Sequence, residues 1–140
     1  MNPGVQPDIA ALLALYCDRY AWLIPSWCQR VFVRFEESQA SGNETTDIAT
    51  TVTNKTYRWA TIRFHGGFLA DSDLERRIDT VHEILHISLS SAIDYGRQAV
   101  KDLAAVNQSL SDHVGQQLCA LHEQGVQDLA YAIVKAEENG

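Results

Sequence analysis

A mixed α+β fold is predicted by three features of the sequence. Apolar residues recur with helical spacing near the start, in the middle and at the end of the chain. A run of alternating Val and Phe with Arg, and then two Thr-rich runs, carry the period of two expected of strands. These strand-like runs are grouped together, with helices before and after, rather than alternating with helices one by one. The predicted architecture is an N-terminal helix, a three-stranded and mostly antiparallel sheet, a helix in the middle of the chain and a long C-terminal helix. A chain of 140 residues suits one domain spanning 1–140, since folding at that length buries about two-thirds of the unfolded surface.

Each element follows from its own residues. Ile9, Leu12, Leu13, Tyr16, Cys17 and Tyr20 keep the i, i+3, i+4, i+7 spacing, with Asp8 as a candidate N-cap and Pro25 past the end. From Cys28 to Glu36, Val31, Val33 and Phe35 fall on one face and Arg30, Phe32 and Arg34 on the other. ESQASGNETT reads as a loop, and DIATTVTNKTYRWATIRFHGG as a hairpin of two strands around an Asn54-Lys55 turn. Ser72 with Glu75 is a capping-box pair, and Leu74, Ile78, Val81 and Leu85 then mark a helix of about 18 residues. Between Ser91 and Ser111 the pattern weakens, with Gly96 as a breaker and a short helix through QAVKDLAAV. The last helix opens at Ser111 or Asp112 and shows Val114, Leu118, Leu121, Val126, Leu129 and Ile133 as apolar positions.

Composition excludes several classes of function. Eleven basic against eighteen acidic side chains leave a net charge of −7, and a protein that neutralises phosphates needs a basic face, so nucleic acid is not expected as a partner. No apolar run approaches the ~20 residues of a membrane span. Cys17, Cys28 and Cys119 are odd in number, sit among apolar neighbours and form no C-x-x-C pair, which reads as core thiols in a reducing compartment. The apolar N-terminal stretch lacks a basic leading region and is read as a helix of a cytoplasmic protein. On that reading the Asn43-Glu44-Thr45 sequon is without consequence.

The chemistry concentrates in TVHEILHISLS, residues 80 to 90. A helix advances 3.6 residues per turn, so His82 and His86 lie on one face and aim their imidazoles at a common point. Two neutral imidazoles so placed can share one metal ion, and Glu83 is offset from the pair but within reach of a water beside it. The plainer alternative is a set of polar residues on a half-exposed helix, or histidines satisfied by core hydrogen bonds. Burying two histidines and a glutamate beside an aliphatic stripe without partners is costly, which favours the metal.

The order of elements together with VHEILH resembles the zincin metallopeptidases in a minimal, gluzincin-like form, over most of residues 8 to 135. HEILH is the specific motif; the remainder of the likeness lies in element order and hydrophobic pattern. The resemblance implies that His82 and His86 ligate Zn2+, that Glu83 is the general base, and that a third ligand comes from further along the chain. The extended metzincin pattern needs Gly and His where this chain has Leu89 and Ala92. Gluzincins use a Glu from a following helix, which selects Glu123, with His122 and His113 as rivals. The acidic residue that the gluzincin pattern carries four positions after its ligand Glu is here Gln127, and Asp128 follows one later. Since its helical neighbours Cys119, Val126 and Ala130 are small or apolar, the Glu123 carboxylate is expected to point inward.

The expected activity is peptide-bond hydrolysis by Glu-assisted attack of water, with a peptide or protein as substrate. If YRWATIRF is the sheet edge over the cleft, it could pair with an extended substrate. Tyr95, Tyr131 and His113 are candidate donors to an oxyanion, and His65 beside two glycines could border the cleft. Arg30, Arg34 and Arg58 need no functional explanation on a solvated sheet face. The alternatives are a zinc-stabilised structural or protein-binding module without turnover, and a regulatory module acting through the same edge strand. The presence of Glu83 beside the first histidine favours the enzyme, because a purely structural site has no use for a base there. Oligomeric state is not written in the sequence.

Overall fold

The computed structural model of the chain describes residues 7 to 37 and 48 to 139. The predicted ESQASGNETT loop and the sequon lie, but for Glu37, outside the described residues. Five α-helices and three strands are present among them: α1 (Pro7–Arg19), β1 (Arg30–Glu36), β2 (Ala49–Asn54), β3 (Trp59–His65), α2 (Gly66–Ala70), α3 (Asp73–Ser88), α4 (Ser90–Ala104) and α5 (Gln108–Asn139). The fold is therefore α+β, and no helix among the described residues is long and apolar enough to cross a membrane.

α1 buries Leu13, Tyr16 and Cys17, and Tyr20 just past its end is buried too, the i, i+3, i+4, i+7 face of the sequence pattern. Asp8 falls inside its first turn rather than at the cap. The Tyr16 hydroxyl donates to Asp73 Oδ1 at 2.6 Å, which fixes α1 against the start of α3.

The sheet corrects two expectations. Its strand order is β1-β3-β2, with β1 parallel to β3 and β2 antiparallel to it, so one of the two ladders is parallel and the sheet is mixed. β3, which carries YRWATIRF, is the central strand and cannot be the edge. The physical reason lies in its residues: Ala60, Thr61, Ile62 and Phe64 are all buried, the near-continuous burial of a strand covered on both faces. β2, rich in Thr, lies at an edge of the sheet among the described residues. The hairpin turn is where it was expected. Asn54 Oδ1 accepts from the Tyr57 backbone N–H at 3.0 Å, and Arg58 takes a left-handed φ of 59°.

Gly66 and Gly67 begin the short helix α2. Gly66 is required there, because a Cβ would come within 2.7 Å of the Glu37 carbonyl oxygen. α3 has 16 residues and opens with the predicted capping box: Ser72 Oγ accepts from Glu75 N and Glu75 Oε2 from Ser72 N, each at 3.2 Å.

Gly96 is not a breaker. α4 runs through it, and a Cβ at Gly96 would stand 3.1 Å from Leu118 Cδ2, so the glycine serves a close crossing of α4 and α5. α5 starts before the expected Ser111, with Asn107 Oδ1 accepting from Leu110 N at 3.0 Å as its cap. Ser111 is instead buried and donates to the Val100 carbonyl at 2.8 Å. The buried face of α5 is Ser111, Val126, Ala130 and Val134, whereas Val114, Leu121 and Leu129 are exposed. Cys17 and Cys28 are buried thiols as expected, but Cys119 is exposed on α5.

α5 spans 32 residues, about 48 Å, and lies antiparallel across α3. His86 meets His122 and Glu123, His82 meets Gln127, and Arg77 meets Glu137 and Glu138. The buried Arg77 guanidinium is the clamp at the far end, with Asp73 Oδ2 at 3.1 Å, Glu137 Oε1 at 3.3 Å and Glu138 Oε1 at 2.6 Å. This register sets which residues of α5 face the histidines of α3.

Candidate metal centre

The side chains of His82, His86 and Glu123 converge between α3 and α5. One ligand-capable atom from each lies within 4.8 Å of the others. Glu123 Oε2 is 3.3 Å from His82 Nε2, Glu123 Oε1 is 3.2 Å from His86 Nε2, and the two Nε2 atoms are 3.1 Å apart. The imidazoles are mostly covered, but the Glu123 side chain is 60% exposed, so it reaches the site from the rim rather than from a buried position as expected. Glu83 belongs to the wall: it is 6% exposed, and its Oε2 is 3.9 Å from His82 Nε2.

The outer nitrogens of both imidazoles are engaged. Gln127 Oε1 is 2.7 Å from His82 Nδ1; in the tautomer with its proton on Nδ1 the ring donates to this oxygen and leaves Nε2 free toward the centre. His122 Nε2 is 3.3 Å from His86 Nδ1. Burial pushes the His86 imidazole down to about 4; Glu123 opposes this, while His82, His122 and Arg97 add to it. His86 is therefore neutral at pH 7, the state a metal ligand needs. Two imidazole nitrogens and a carboxylate crowded at about 3 Å fit a cation between them. The donor set, two nitrogens and one oxygen, suits zinc.

These groups open onto a cleft of about 410 Å³ between β2 and the helices α3, α4 and α5. Thr50, Thr51 and Thr53 line it from the edge strand, His82, Glu83 and His86 from α3, Asp94 and Arg97 from α4, and His122 and Glu123 from α5. A contiguous recess of about 230 Å³ adds Asp79 and Gln127 beside His82 and Glu83. Asp79 is held at about 8, first by burial and then by its hydrogen bond with Asp71 and the charges of Asp71, Glu83 and Glu75.

Other sequence candidates stand elsewhere. Tyr95 and Tyr131 are 82% and 49% exposed, and neither they nor His113 line the cleft. His65 sits across the β1/β3 ladder from Glu36, its Nδ1 3.8 Å from Glu36 Oε2. His122, a rival for the third ligand position, approaches the far nitrogen of His86 and not the point where the other donors meet. Thr51, Asp79 and Arg97 were not singled out by sequence. Their types are common on strand and helix surfaces, and only the tertiary register brings them to the site. Gln127 did carry a signal, four residues after Glu123 and so on the same helix face. No protein-family model, curated protein or solved structure matches the chain.

Proposed function

We propose that the chain is a zinc-dependent peptidase of zincin type, in which His82, His86 and Glu123 hold the metal and Glu83 is the general base. The observation that carries this reading is the convergence of the three donor side chains on one point with Glu83 alongside, at the floor of an open cleft. When bound, zinc would polarise a carbonyl and make water a nucleophile near neutral pH. Glu83 then accepts the proton of the attacking water and passes it to the leaving nitrogen. Gln127 and His122 hold the two imidazoles in orientation from behind.

The substrate in this reading is a peptide in extended form, laid against β2. That strand, not β3, offers its open edge to the cleft and lines it with threonines. Pairing through the backbone confers affinity with little demand on sequence. Three unpaired cysteines are in keeping with a reducing, cytoplasmic setting. The alternative of a zinc-stabilised module without turnover calls for a closed site with a fourth protein ligand; among the described residues the cluster has three.

The test is turnover of a mixed peptide library by the zinc-loaded protein, with a chelated sample as control. Cleavage that disappears on chelation and returns with zinc supports the peptidase. Full zinc occupancy without cleavage of any library member would leave the structural module as the better reading.

A further inference from the structure

The buried Glu83 carboxylate is held from the opposite wall of the cleft. Thr51 Oγ1, on the edge strand, lies 2.7 Å from Glu83 Oε1 and 3.2 Å from the Glu83 backbone oxygen. A hydroxyl has one proton to give, and the shorter contact, to a carboxylate oxygen, is the stronger acceptor. The other carboxylate oxygen, Oε2, faces His82 Nε2 at 3.9 Å. The two oxygens of Glu83 thus have different surroundings, one turned to the strand and one to the histidines.

We propose that Thr51 is a positioning residue for Glu83: its hydroxyl pins Oε1 and thereby fixes Oε2 toward the centre formed by His82, His86 and Glu123. The catalytic significance rests on the peptidase reading above; the positioning itself does not. A Glu side chain turns easily about its last torsion, and the Thr51 hydroxyl restrains that torsion from the strand side. Thr suits the task better than Ser, since its branched Cβ restricts χ1 in a strand. Thr51 pairs with Ile62 of the central strand, which holds its backbone in register. Because β2 is also the open edge along the cleft, the residue that holds the base belongs to the strand on which an extended peptide would be seated. Base and substrate would then be aligned by one element.

Two measurements on the full chain test this. In the metal-free protein, a double-mutant cycle of Thr51→Val and Glu83→Leu, each of which removes one partner of the contact, should by urea unfolding show coupling of about fivefold or more in the unfolding equilibrium constant. Coupling indistinguishable from unity would overturn the proposal whether or not the protein binds zinc. In the zinc-loaded protein, a peptide hydroxamate, whose acidic proton needs a carboxylate acceptor, should bind Thr51→Val about tenfold more weakly while the zinc Kd stays as in the wild type. Thr51→Ser should recover most of that loss, and kcat for any responsive peptide should fall in Thr51→Val with little change in KM. Equal hydroxamate affinity in wild type and Thr51→Val would also overturn it. Failure of the wild type to bind zinc would remove the peptidase reading and leave the cycle to decide the contact.

Discussion

Gln127 Oε1 stands 2.7 Å behind His82 Nδ1, on the side of the ring opposite Glu123. The amide oxygen is placed to accept a hydrogen bond from an Nδ1–H. Being neutral, it orients the ring while raising the basicity of the imidazole less than a carboxylate would.

Gln127→Leu should therefore weaken zinc binding by about 10-fold to 100-fold, the range for loss of an outer partner. Gln127 is exposed, so the fold should stay intact. Competition titration with a zinc chelator measures the change, and an unaltered Kd would show that the amide does not hold His82.

Glu83→Gln should keep zinc and lose hydrolysis, because the amide cannot take a proton. A loss of about 100-fold or more in kcat is expected for a missing general base. Steady-state rates on a responsive peptide, beside elemental analysis of the same sample, check both halves. Undiminished turnover would remove Glu83 from the mechanism.

The expected effect of Asp79→Asn is on pH dependence. An unfolded Asp titrates near 3.8, whereas burial, then Asp71, Glu83 and Glu75, hold Asp79 at about 8 in the fold. Between those values the folded chain keeps a proton that the unfolded chain releases. The contribution of this group is thus fully present at low pH and is lost as pH rises through about 8. Asp79→Asn cannot ionise, so its stability relative to wild type should grow from about pH 4 to about pH 9. Urea unfolding across that interval gives the answer, and a constant difference between the two proteins would contradict the assignment.

Arg77→Met should loosen the register of α5 on α3. It removes contacts to Asp73, Glu137 and Glu138 from a buried guanidinium. The partners are partly exposed, so the loss should be about 2 kcal/mol, the scale of hydrogen bonds to charged groups. Since the same register brings Glu123 to the histidines, zinc affinity should fall with it. Chemical denaturation and zinc titration of the variant test the two effects separately.

The parts legible in the sequence were those fixed by neighbours along the chain. The Ser72 and Glu75 capping box, the face of α1 and the Asn54 turn depend on local spacing, and each is where the pattern placed it. The pairing of β1 with β3 was not legible, because it joins segments separated by the whole of β2 and carries no turn signature. Gly96 misled for a related reason: its meaning is the proximity of Leu118 on another helix. In the site, the convergence of His82 and His86 followed from helical spacing, and Glu123 from a resemblance. The anchors Thr51 and His122 depend on the approach of β2 and α5 to α3, which only the folded chain displays.

The central claim is that His82, His86 and Glu123 together hold zinc. The most direct measurement is zinc content by elemental analysis of protein stripped with a chelator, re-equilibrated with excess zinc and desalted. It should be made on wild type, His82→Ala, His86→Ala and Glu123→Ala. The account predicts about one zinc ion per chain in wild type and a strong loss in each variant, with metal-dependent thermal stabilisation lost alongside it. Wild-type protein that retains no zinc, or a Glu123→Ala variant that retains it with unchanged Kd, would contradict the account.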